Sequence, residues 1–266
     1  MSTVPRFAGP IPELYDRHLG PVLFEPYARE VAARLPATAR RILEIAAGTG
    51  RVTRHLLAAL PPDGELIATD LNEPMLVEAR RRLPTDPRLR WQAADAQELP
   101  FGDAELDAVV CQFGLMFVPD KPRALREMRR VLRRGSTLLL STWDDLARNP
   151  ASKLLHELAF AELPTDPPLF MRVPFSMPDP VELRALVEAA GFANVRVDTT
   201  ALVADASSAA DLAVGFVRGN PLWNQLVERG IDADAFQARV EDGLRRAFGH
   251  APCRSPMSAH VVTAAV

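Results

Sequence analysis

A turn rich in small residues, directly after a short apolar run, is the first place in the chain where the residue types could do chemistry. The run begins at Arg41 and passes into a turn that contains Gly48, Thr49 and Gly50, after which a helical pattern starts. Because glycine has no Cβ, such a strand-to-helix turn lets the backbone approach a ligand at the carboxyl end of a parallel sheet. The sequence therefore predicts a ligand site at this turn.

The glycine spacing limits which ligand the turn could hold. A dinucleotide-binding turn follows the pattern G-x-G-x-x-G and places a pyrophosphate at the N-terminus of the helix. Here the small residues alternate at Ala46, Gly48 and Gly50. An NAD(P)-dependent oxidoreductase is therefore disfavoured, although it stays as the rival enzyme.

Two acidic residues follow the next predicted strands. Asp70 ends the second strand, and a carboxylate at that position can accept hydrogen bonds from both hydroxyls of a ribose. The alternative role for Asp70 is a helix cap, but Asn72 is well placed for that role. Asp95, between Ala94 and Ala96, follows the third strand; it could contact a ligand or simply be a solvated loop acid.

The elements that must position these residues alternate between apolar runs and helical patterns from residue 41 onward, which is typical of βαβ units and a parallel sheet. We predict a doubly wound α/β fold with a mostly parallel seven-stranded sheet, helices on both faces and helical lid insertions. The predicted strands are Arg41–Ala46, Glu65–Asp70, Leu89–Ala94, Leu106–Gln112, Ser136–Trp143, Ala193–Val203 and Ala259–Val266.

The chain is expected to form a single domain over residues 1–266. Within it, 12–36 is predicted to be a helical cover broken near Gly20-Pro21, and 41–145 a ligand-binding core. The helical stretches 151–178 and 207–250 interrupt the later connections and are candidate substrate or lid elements. Asp120 is expected to cap a helix over 121–133, and a helix is predicted over 180–190.

The segment Glu44-x-Ala46-x-Gly48-x-Gly50 resembles the E/D-x-G-x-G-x-G motif of class I S-adenosylmethionine-dependent methyltransferases, with Ala46 in the place of the first glycine. Asp70, Asp95 and the buried strand that leads into the apolar loop 113–117 follow in the family's order. Together with Leu99-Pro100-Phe101, Gly135 and 138–143, they resemble the ubiquinone/menaquinone C-methyltransferase-like (methyltransferase domain 11 type) branch over about residues 41–145.

That resemblance implies S-adenosylmethionine as cofactor and S-adenosylhomocysteine as product, and it assigns residues to each part of the cofactor. For the methionine part it implies Glu44, Ala46, Gly48 and Gly50, and for the sulfonium Gln112 and Phe113. Tyr15 and Thr49 are also predicted to bind the cofactor, with no part of it assigned to them. For the ribose and adenine it implies Asp70, Leu71, Met75, Asp95 and Ala96. Met75 has the alternative role of a core residue, since methionine often fills core gaps.

Methyl transfer from a sulfonium is an in-line displacement, so the protein mainly positions the reactants and excludes water. A base is needed only for a poorly nucleophilic acceptor. Tyr15 and His18 are the candidate catalytic residues, because the N-terminal segment of this branch often folds over the cofactor. Met116 and Phe117 are candidate substrate-binding residues, and Met116 also has the core alternative. The apolar character of Phe113–Phe117, Phe170–Phe175 and Phe216–Trp223 predicts a small, partly hydrophobic acceptor, methylated on O, N or C.

The composition of the chain limits which binding partners can be expected. A net charge of -3 on 266 residues gives no reason to expect nucleic acid. The basic run from Arg123 to Arg134 is interpreted as a solvated helix face, with an anionic partner as the alternative. Cys111 and Cys253 lack metal-ligand spacing, so we predict reduced thiols and no metal. With no signal peptide or membrane span in the sequence, we expect a cytoplasmic monomer or homodimer. A non-catalytic or regulatory S-adenosylmethionine-binding protein is the alternative function.

Overall fold

The computed structural model describes Phe7 and residues 9–266, and within them seven strands form one sheet in the order β3-β2-β1-β4-β5-β7-β6. Strand β7 runs antiparallel to both of its neighbours, and the other pairings are parallel. This confirms the predicted fold class. The strands are β1 (Arg41–Ile45), β2 (Glu65–Asp70), β3 (Leu89–Ala93), β4 (Leu106–Gln112), β5 (Leu132–Trp143), β6 (Ala193–Ala206) and β7 (Cys253–Ala265).

Helices cover the sheet and extend beyond its carboxyl ends. The α-helices are α1 (Ile11–Leu14), α2 (Glu25–Ala32), α3 (Thr53–Ala59), α4 (Glu73–Arg82), α5 (Lys121–Val131), α6 (Pro150–Glu162), α7 (Pro180–Ala189), α8 (Ala209–Arg218), α9 (Leu222–Glu228) and α10 (Ala233–Phe248). A π-helix, Tyr15–Phe24, joins α1 to α2.

Both faces of the central strands are buried, as parallel strands require. Along β4, Val109 packs with α5 and α7, whereas its neighbours Ala108 and Val110 pack with α2 and α3 on the opposite face. The alternation follows from the two-residue period of a strand. Because both faces must be apolar, the sequence shows short continuous apolar runs at these strands.

A third apolar cluster lies at the carboxyl ends of the parallel strands. It joins the π-helix to helices α6, α8, α9 and α10, which we call the helical lobe. Trp143 at the end of β5 and Met257 of β7 connect this cluster to the sheet. The predicted helical stretch 207–250 is therefore three helices, and they form a cover over the edge where parallel sheets bind ligands.

The predicted break at Gly20-Pro21 is wrong, because the chain stays helical there as a π-helix. Proline has no N–H, so Pro21 cannot donate to the carbonyl of Asp16 five residues earlier, the spacing of a π-helix. The Arg51 side chain donates to that carbonyl instead, with Nη2 2.5 Å from Asp16 O. The helix therefore continues because a side chain from another element supplies the missing donor.

The two predicted helix caps differ in outcome. Asp120 caps α5, and its Oδ1 accepts from the Arg123 N–H at 2.9 Å. Asn72 occupies the N-cap position of α4, but its side chain makes no capping bond, so that prediction is wrong. The Asn72 Nδ2 instead lies 3.4 Å from Asp70 Oδ1.

Several boundaries also differ from those predicted. Helix α5 ends at Val131 rather than at residue 133, because β5 already begins at Leu132 and pairs with Leu106 of β4. Strand β7 begins at Cys253, since its first half pairs with the long β6. No helix in the described part of the chain is long and apolar enough to cross a membrane.

Candidate active site

The turn between β1 and α3 has a left-handed backbone at three alternating positions. The φ angles are +55° at Ala46, +56° at Gly48 and +84° at Gly50. A Cβ at Gly48 would meet no protein atom within 4 Å, so this position borders open space. A turn whose backbone is exposed to a cavity in this way can contact a ligand directly.

Ala46 has a left-handed backbone of the kind that glycine adopts readily, and Gly114 makes room for its methyl group. A Cβ at Gly114 would lie 2.5 Å from the Ala46 Cβ and 2.8 Å from the Cys111 Sγ. The methyl group of Ala46 thus occupies the space that a side chain at Gly114 would need. Gly114, in the loop after the neighbouring strand β4, thus accommodates an alanine where the motif has glycine.

The Asp70 carboxylate is held at the end of β2, next to this turn. Its Oδ2 accepts from the Gly48 N–H at 2.9 Å, and its Oδ1 accepts from the Asn72 N–H at 2.8 Å. Burial raises the pKa of Asp70, while these backbone hydrogen bonds lower it. The carboxylate therefore has a defined orientation before any ligand binds.

A cleft of about 840 Å³ opens above the turn, and we call it the cofactor cleft. It brings together most of the cofactor residues that the sequence predicted. Those lining it are Tyr15, Ala46, Gly48, Asp70, Leu71, Met75, Asp95, Ala96, Gln112 and Phe113, together with the predicted substrate residue Phe117. Residues that the sequence analysis did not single out for the site also line it, among them Phe7 and Gln97.

A small recess lies between the glycine turn and the π-helix. Thr49 and Arg51 line it from the turn, and Tyr15 and Phe24 line it from the π-helix. Gln112 borders both the recess and the cofactor cleft. Its Oε1 is buried without a hydrogen-bond partner among the described residues, so it can accept from a ligand placed between them.

Glu44 and Gly50 do not line either space. Glu44 is 1% exposed beneath the turn, and burial raises the pKa of its carboxyl to about 8. Gly50 packs inward, where a Cβ would lie 2.5 Å from the Leu83 side chain. Glu44 and Gly50 therefore contact protein atoms on the inner side of the turn and do not face the cleft or the recess.

The loop after β3 is held by Asp95. Its Oδ1 accepts from the Gln97 N–H at 2.8 Å and from Gln97 Nε2 at 3.1 Å. Asp95 and Ala96 line the cofactor cleft together with Met75 of α4. The arrangement offers a hydrogen-bonding edge and an apolar face, which suits a purine ring.

A second cavity of about 680 Å³ adjoins the cofactor cleft, and we call it the aromatic chamber. Four residues, Phe7, Tyr15, Phe113 and Phe117, line both spaces. The other residues that line the chamber are Leu19, Leu23, Phe24, Trp143, Ser152, Leu155, Phe170, Pro174, Phe175, Phe216 and Asn220.

The chamber wall is an ordered stack of rings. Phe113 and Trp143 stack face to face, with centroids 4.0 Å apart and planes 5° apart. Tyr27 meets both rings edge-on, and its hydroxyl donates to the Thr200 carbonyl at 2.9 Å. Phe113 itself has a left-handed backbone, φ +51°, a conformation that non-glycine residues keep where surrounding structure enforces it.

The candidate catalytic residues Tyr15 and His18 lie in different places, and so does the candidate substrate-binding residue Met116. Tyr15 lines the cleft, the recess and the chamber. Burial raises the pKa of its hydroxyl, and the negative charges of Asp70 and Asp16 raise it further. His18 lies outside these lining sets, with Nδ1 2.7 Å from the Asp211 Oδ1 of α8. Met116 is buried in the apolar cluster of the helical lobe and also lies outside them.

The site residues that were not singled out are mostly aromatic. Phe170, Phe175 and Phe216 lie in segments whose apolar character did indicate a hydrophobic acceptor, although no single residue could be chosen. Trp143 ends a predicted strand, and its position at a carboxyl strand end is a signal that could have selected it. Phe7 and Arg51 carry no such signal, because only the folded chain brings them to the site.

Comparison with known proteins agrees with this geometry. Residues 42–135 match the family model described as a methyltransferase domain. The ubiquinone/menaquinone biosynthesis C-methyltransferase of Proteus mirabilis is 32% identical over 169 residues, which cover 59% of this chain and 67% of that protein. The chain belongs to the class I S-adenosylmethionine-dependent methyltransferases, of the kind that includes these C-methyltransferases. This membership rejects the oxidoreductase alternative.

Solved structures share the fold at low sequence identity. The phosphoethanolamine N-methyltransferase 2 of Haemonchus contortus, in complex with S-adenosyl-L-methionine, has a TM-score of 0.59 at 14% identity and covers 96% of this chain and 56% of that one. The [4+2]-cyclase SpnF has a TM-score of 0.54 at 19% identity and covers 91% of this chain and 80% of that one. These likenesses show the fold alone.

S-adenosylmethionine is the cofactor, and the site fits it on three observations. The Gly48 position is open to the cleft, the Asp70 carboxylate is oriented beside it, and Gln112 Oε1 is buried and unpartnered. Groups of three or more potential metal ligands do not occur in the described part of the chain.

Proposed function

We propose that this methyltransferase binds its acceptor in the aromatic chamber and transfers the methyl group across the wall that the chamber shares with the cofactor cleft. The observation that carries the proposal is that shared wall, formed by Phe7, Tyr15, Phe113 and Phe117. An in-line displacement needs the acceptor on the far side of the methyl group from the sulfur. Two adjoining cavities allow this arrangement, because the cofactor can lie in one and the acceptor in the other.

The proposed contacts with the cofactor follow the geometry of the cleft. Asp70 accepts from the ribose hydroxyls, and Asp95 and Ala96 hold the adenine edge against Met75. The methionine part lies in the recess between the glycine turn and the π-helix, where Gln112 Oε1 accepts a hydrogen bond. When bound, S-adenosylmethionine supplies an electrophilic methyl carbon and a good leaving group.

The residues of the chamber are proposed to orient the acceptor and to exclude water. The Phe113 and Trp143 stack offers a flat apolar surface, and such surfaces favour planar acceptors. Tyr15 keeps its proton at neutral pH because its pKa is raised, so it can donate a hydrogen bond but is not a base. His18 is held by Asp211 outside the chamber, and we propose a positional role for it.

The acceptor class is a small, largely apolar molecule, and carbon is the favoured acceptor atom. The support for carbon is the Proteus mirabilis relative, which is named a C-methyltransferase. The support for an apolar molecule is the chamber lining, in which Ser152 and Asn220 are the polar side chains besides Tyr15. A cytoplasmic location and a monomeric or homodimeric state remain part of the same proposal.

The test begins with isotopically labelled S-adenosylmethionine and a metabolite extract, with mass spectrometry of the labelled product. Phe216→Ala enlarges the chamber and should reduce labelled product at least tenfold, while calorimetric affinity for S-adenosylhomocysteine stays unchanged. Asp70→Asn should reduce both. Phe160→Ala is the matched control, because Phe160 stacks on His156 outside the chamber and should change neither.

Two results would contradict the proposal. If Phe216→Ala forms labelled product as fast as the wild type, the acceptor does not bind in the chamber. If Phe216→Ala weakens S-adenosylhomocysteine as strongly as Asp70→Asn does, the two cavities are not separate sites.

A further inference from the structure

We infer that Asp16 is a positioning residue that holds the N-terminal π-helix closed over the methionine end of the cofactor. The inference rests on the placement of the methionine part in the recess proposed above. It concerns neither the acceptor nor the aromatic chamber. Asp16 acts through the glycine turn rather than by touching the reacting atoms.

The Asp16 side chain is 1% exposed and joins three parts of the chain. From the glycine turn, Thr49 Oγ1 donates to Oδ1 at 2.7 Å and Arg51 Nε donates to Oδ1 at 2.8 Å. From α4, Arg82 Nη1 lies 2.7 Å from Oδ2. We call this set of residues, Asp16, Thr49, Arg51 and Arg82, the Asp16 clamp.

A buried carboxylate is costly unless its charge is paired and its oxygens are hydrogen-bonded. Here Oδ1 accepts hydrogen bonds from Thr49 and Arg51, and the guanidinium groups of Arg51 and Arg82 pair with the charge at Oδ2, which has no hydrogen bond of good geometry among the described residues. Because Asp16 belongs to the π-helix and its partners do not, these bonds form only when the π-helix lies against the turn. Asp16 therefore stabilises the closed arrangement specifically.

The backbone of the π-helix is also adapted to Arg51. Pro21 leaves the Asp16 carbonyl available, and Arg51 Nη2 donates to it at 2.5 Å. A Cβ at Gly20 would lie 2.5 Å from Arg51 Nε, so a larger residue there would displace the guanidinium. The Gly20-Pro21 pair thus creates a docking point for Arg51 on the π-helix.

The clamp lies beside the recess and away from the adenine end. Tyr15, next to Asp16 in the chain, and Phe24 form one side of the recess, and Thr49 and Arg51 form the other. Asp95 and Ala96, the proposed adenine contacts, are on the loop after β3, which the clamp does not touch. Loss of the clamp should therefore weaken ligands that carry the methionine part and spare ligands that lack it.

The experiment compares S-adenosylhomocysteine with adenosine, which lacks the methionine part, by calorimetric titration. Asp16→Asn removes the charge that pairs with both arginines and should lower the affinity for S-adenosylhomocysteine about tenfold or more. The affinity for adenosine should stay within about twofold. Arg82→Gln, on the partly exposed side of the clamp, should show the same selectivity with about a threefold loss.

Asp198→Asn is the matched control. Asp198 is a partly buried carboxylate of β6 that pairs with Arg34, directly after α2, and with Arg196 of its own strand. Its loss removes a carboxylate that is likewise held by two guanidinium groups, and none of these residues lines the recess. It should leave the ratio of the two affinities unchanged, even if the protein becomes less stable.

Hydrogen exchange supplies a second readout on the wild-type protein, in case Asp16→Asn does not fold. S-adenosylhomocysteine should slow amide exchange across Tyr15–Phe24 much more than adenosine does, because the methionine part fills the recess under this helix. Equal protection by the two ligands would overturn the inference.

The remaining outcomes are also decisive. Equal losses of both affinities in Asp16→Asn would mean that Asp16 only supports the fold, and no loss would mean that the clamp does not act on binding. If Asp70→Asn weakens neither ligand, the cofactor placement itself is wrong. Failure of the chamber variants alone would leave the role of Asp16 standing.

Discussion

Ala46 holds a left-handed backbone where the family motif has glycine, and its methyl group lies against Gly114. A left-handed conformation costs an L-residue about 1 to 2 kcal/mol, while glycine loses about 0.5 to 1 kcal/mol more chain entropy on folding than alanine. Ala46→Gly should therefore stabilise the protein by about 0.5 kcal/mol. Urea unfolding of the variant measures this change.

The same contact predicts a coupling between the two positions. Gly114→Ala should destabilise the wild type by about 1 to 3 kcal/mol, because its Cβ would overlap the Ala46 Cβ and the Cys111 Sγ. In the Ala46→Gly background the cost should be smaller, since one of the two overlaps is gone. Strictly additive free energies in a double-mutant cycle would show that the contact does not matter.

Glu44 should make the stability of the protein depend on pH. Burial raises the pKa of the folded-state carboxyl from 4.5 to about 8, so the folded state retains a proton that the unfolded state has released. This contribution is fully present below the unfolded pKa and is lost as the pH rises through 8. Between these values the free energy of unfolding should fall by up to about 1.4 kcal/mol per pH unit.

Chemical unfolding at pH 5 and pH 8 measures this effect. Glu44→Gln keeps the shape and removes the titration, so the variant should lose less stability than the wild type over this range. Asp70, whose pKa is also raised by burial, contributes in the same direction in both proteins. Parallel pH profiles for the two proteins would exclude Glu44 as the source.

At the scale of the element, capping separates two helices that look alike in sequence. Helices α4 and α5 both follow Asn or Asp and both have proline in the first turn. Asp120 accepts from the Arg123 N–H, whereas the Asn72 side chain makes no capping bond. Asp120→Ala should cost about 1 kcal/mol, and Asn72→Ala should change the free energy of unfolding by less than about 0.5 kcal/mol.

Thermal or urea unfolding of the two variants gives the comparison directly. A loss in Asn72→Ala as large as that in Asp120→Ala would show that Asn72 does cap α4 in solution. The two side chains could not be distinguished from sequence, because capping depends on a rotamer and on competing partners. For Asn72 the side-chain oxygen that a cap would use accepts from the Phe7 N–H at 3.4 Å, and Nδ2 lies 3.4 Å from Asp70 Oδ1.

The π-helix is the element that the sequence predicted least well. Glycine followed by proline normally ends a helix, so a break near Gly20-Pro21 was the expected outcome. The donor that keeps the helix intact is Arg51, and it comes from a distant part of the chain. No local pattern around residue 20 contains that information.

At the scale of the whole molecule, the edge of the sheet carries the cofactor cleft and the helical lobe lines the aromatic chamber. Phe236 of α10 is fully buried in the lobe, and Phe236→Leu should cost about 1 to 2 kcal/mol. Because Phe216 and Asn220 reach the chamber from this lobe, methyl transfer to the acceptor should fall more than affinity for S-adenosylhomocysteine.

Leu125→Ala is the comparison for that variant. Leu125 is equally buried, but it packs between α5 and the sheet. It should lower stability without a selective loss of transfer when both variants are assayed well below their unfolding temperatures. A similar loss of transfer in both variants would mean that global stability, rather than the shape of the lobe, controls the chamber.

The sequence by itself determined the class of protein, the parallel core of the sheet and several residues at strand ends that line the cofactor cleft. Gly48, Asp70 and Asp95 could be found because parallel strands bring their carboxyl ends to one edge, so spacing along the chain translates into position in space. The same reasoning reached Gln112 and Phe113 at the end of β4. These are local signals with a regular geometric consequence.

Only the tertiary structure decided how the site is covered. Phe7, Arg51 and Trp143 meet around the cofactor cleft, its recess and the chamber because the N-terminal segment, the glycine turn and the helical lobe pack against the same sheet edge. Contacts of this kind depend on long-range packing, and a short window of sequence does not contain the partner. For the same reason the pairing of Asp16 with Arg51 and Arg82 became visible only in the folded chain.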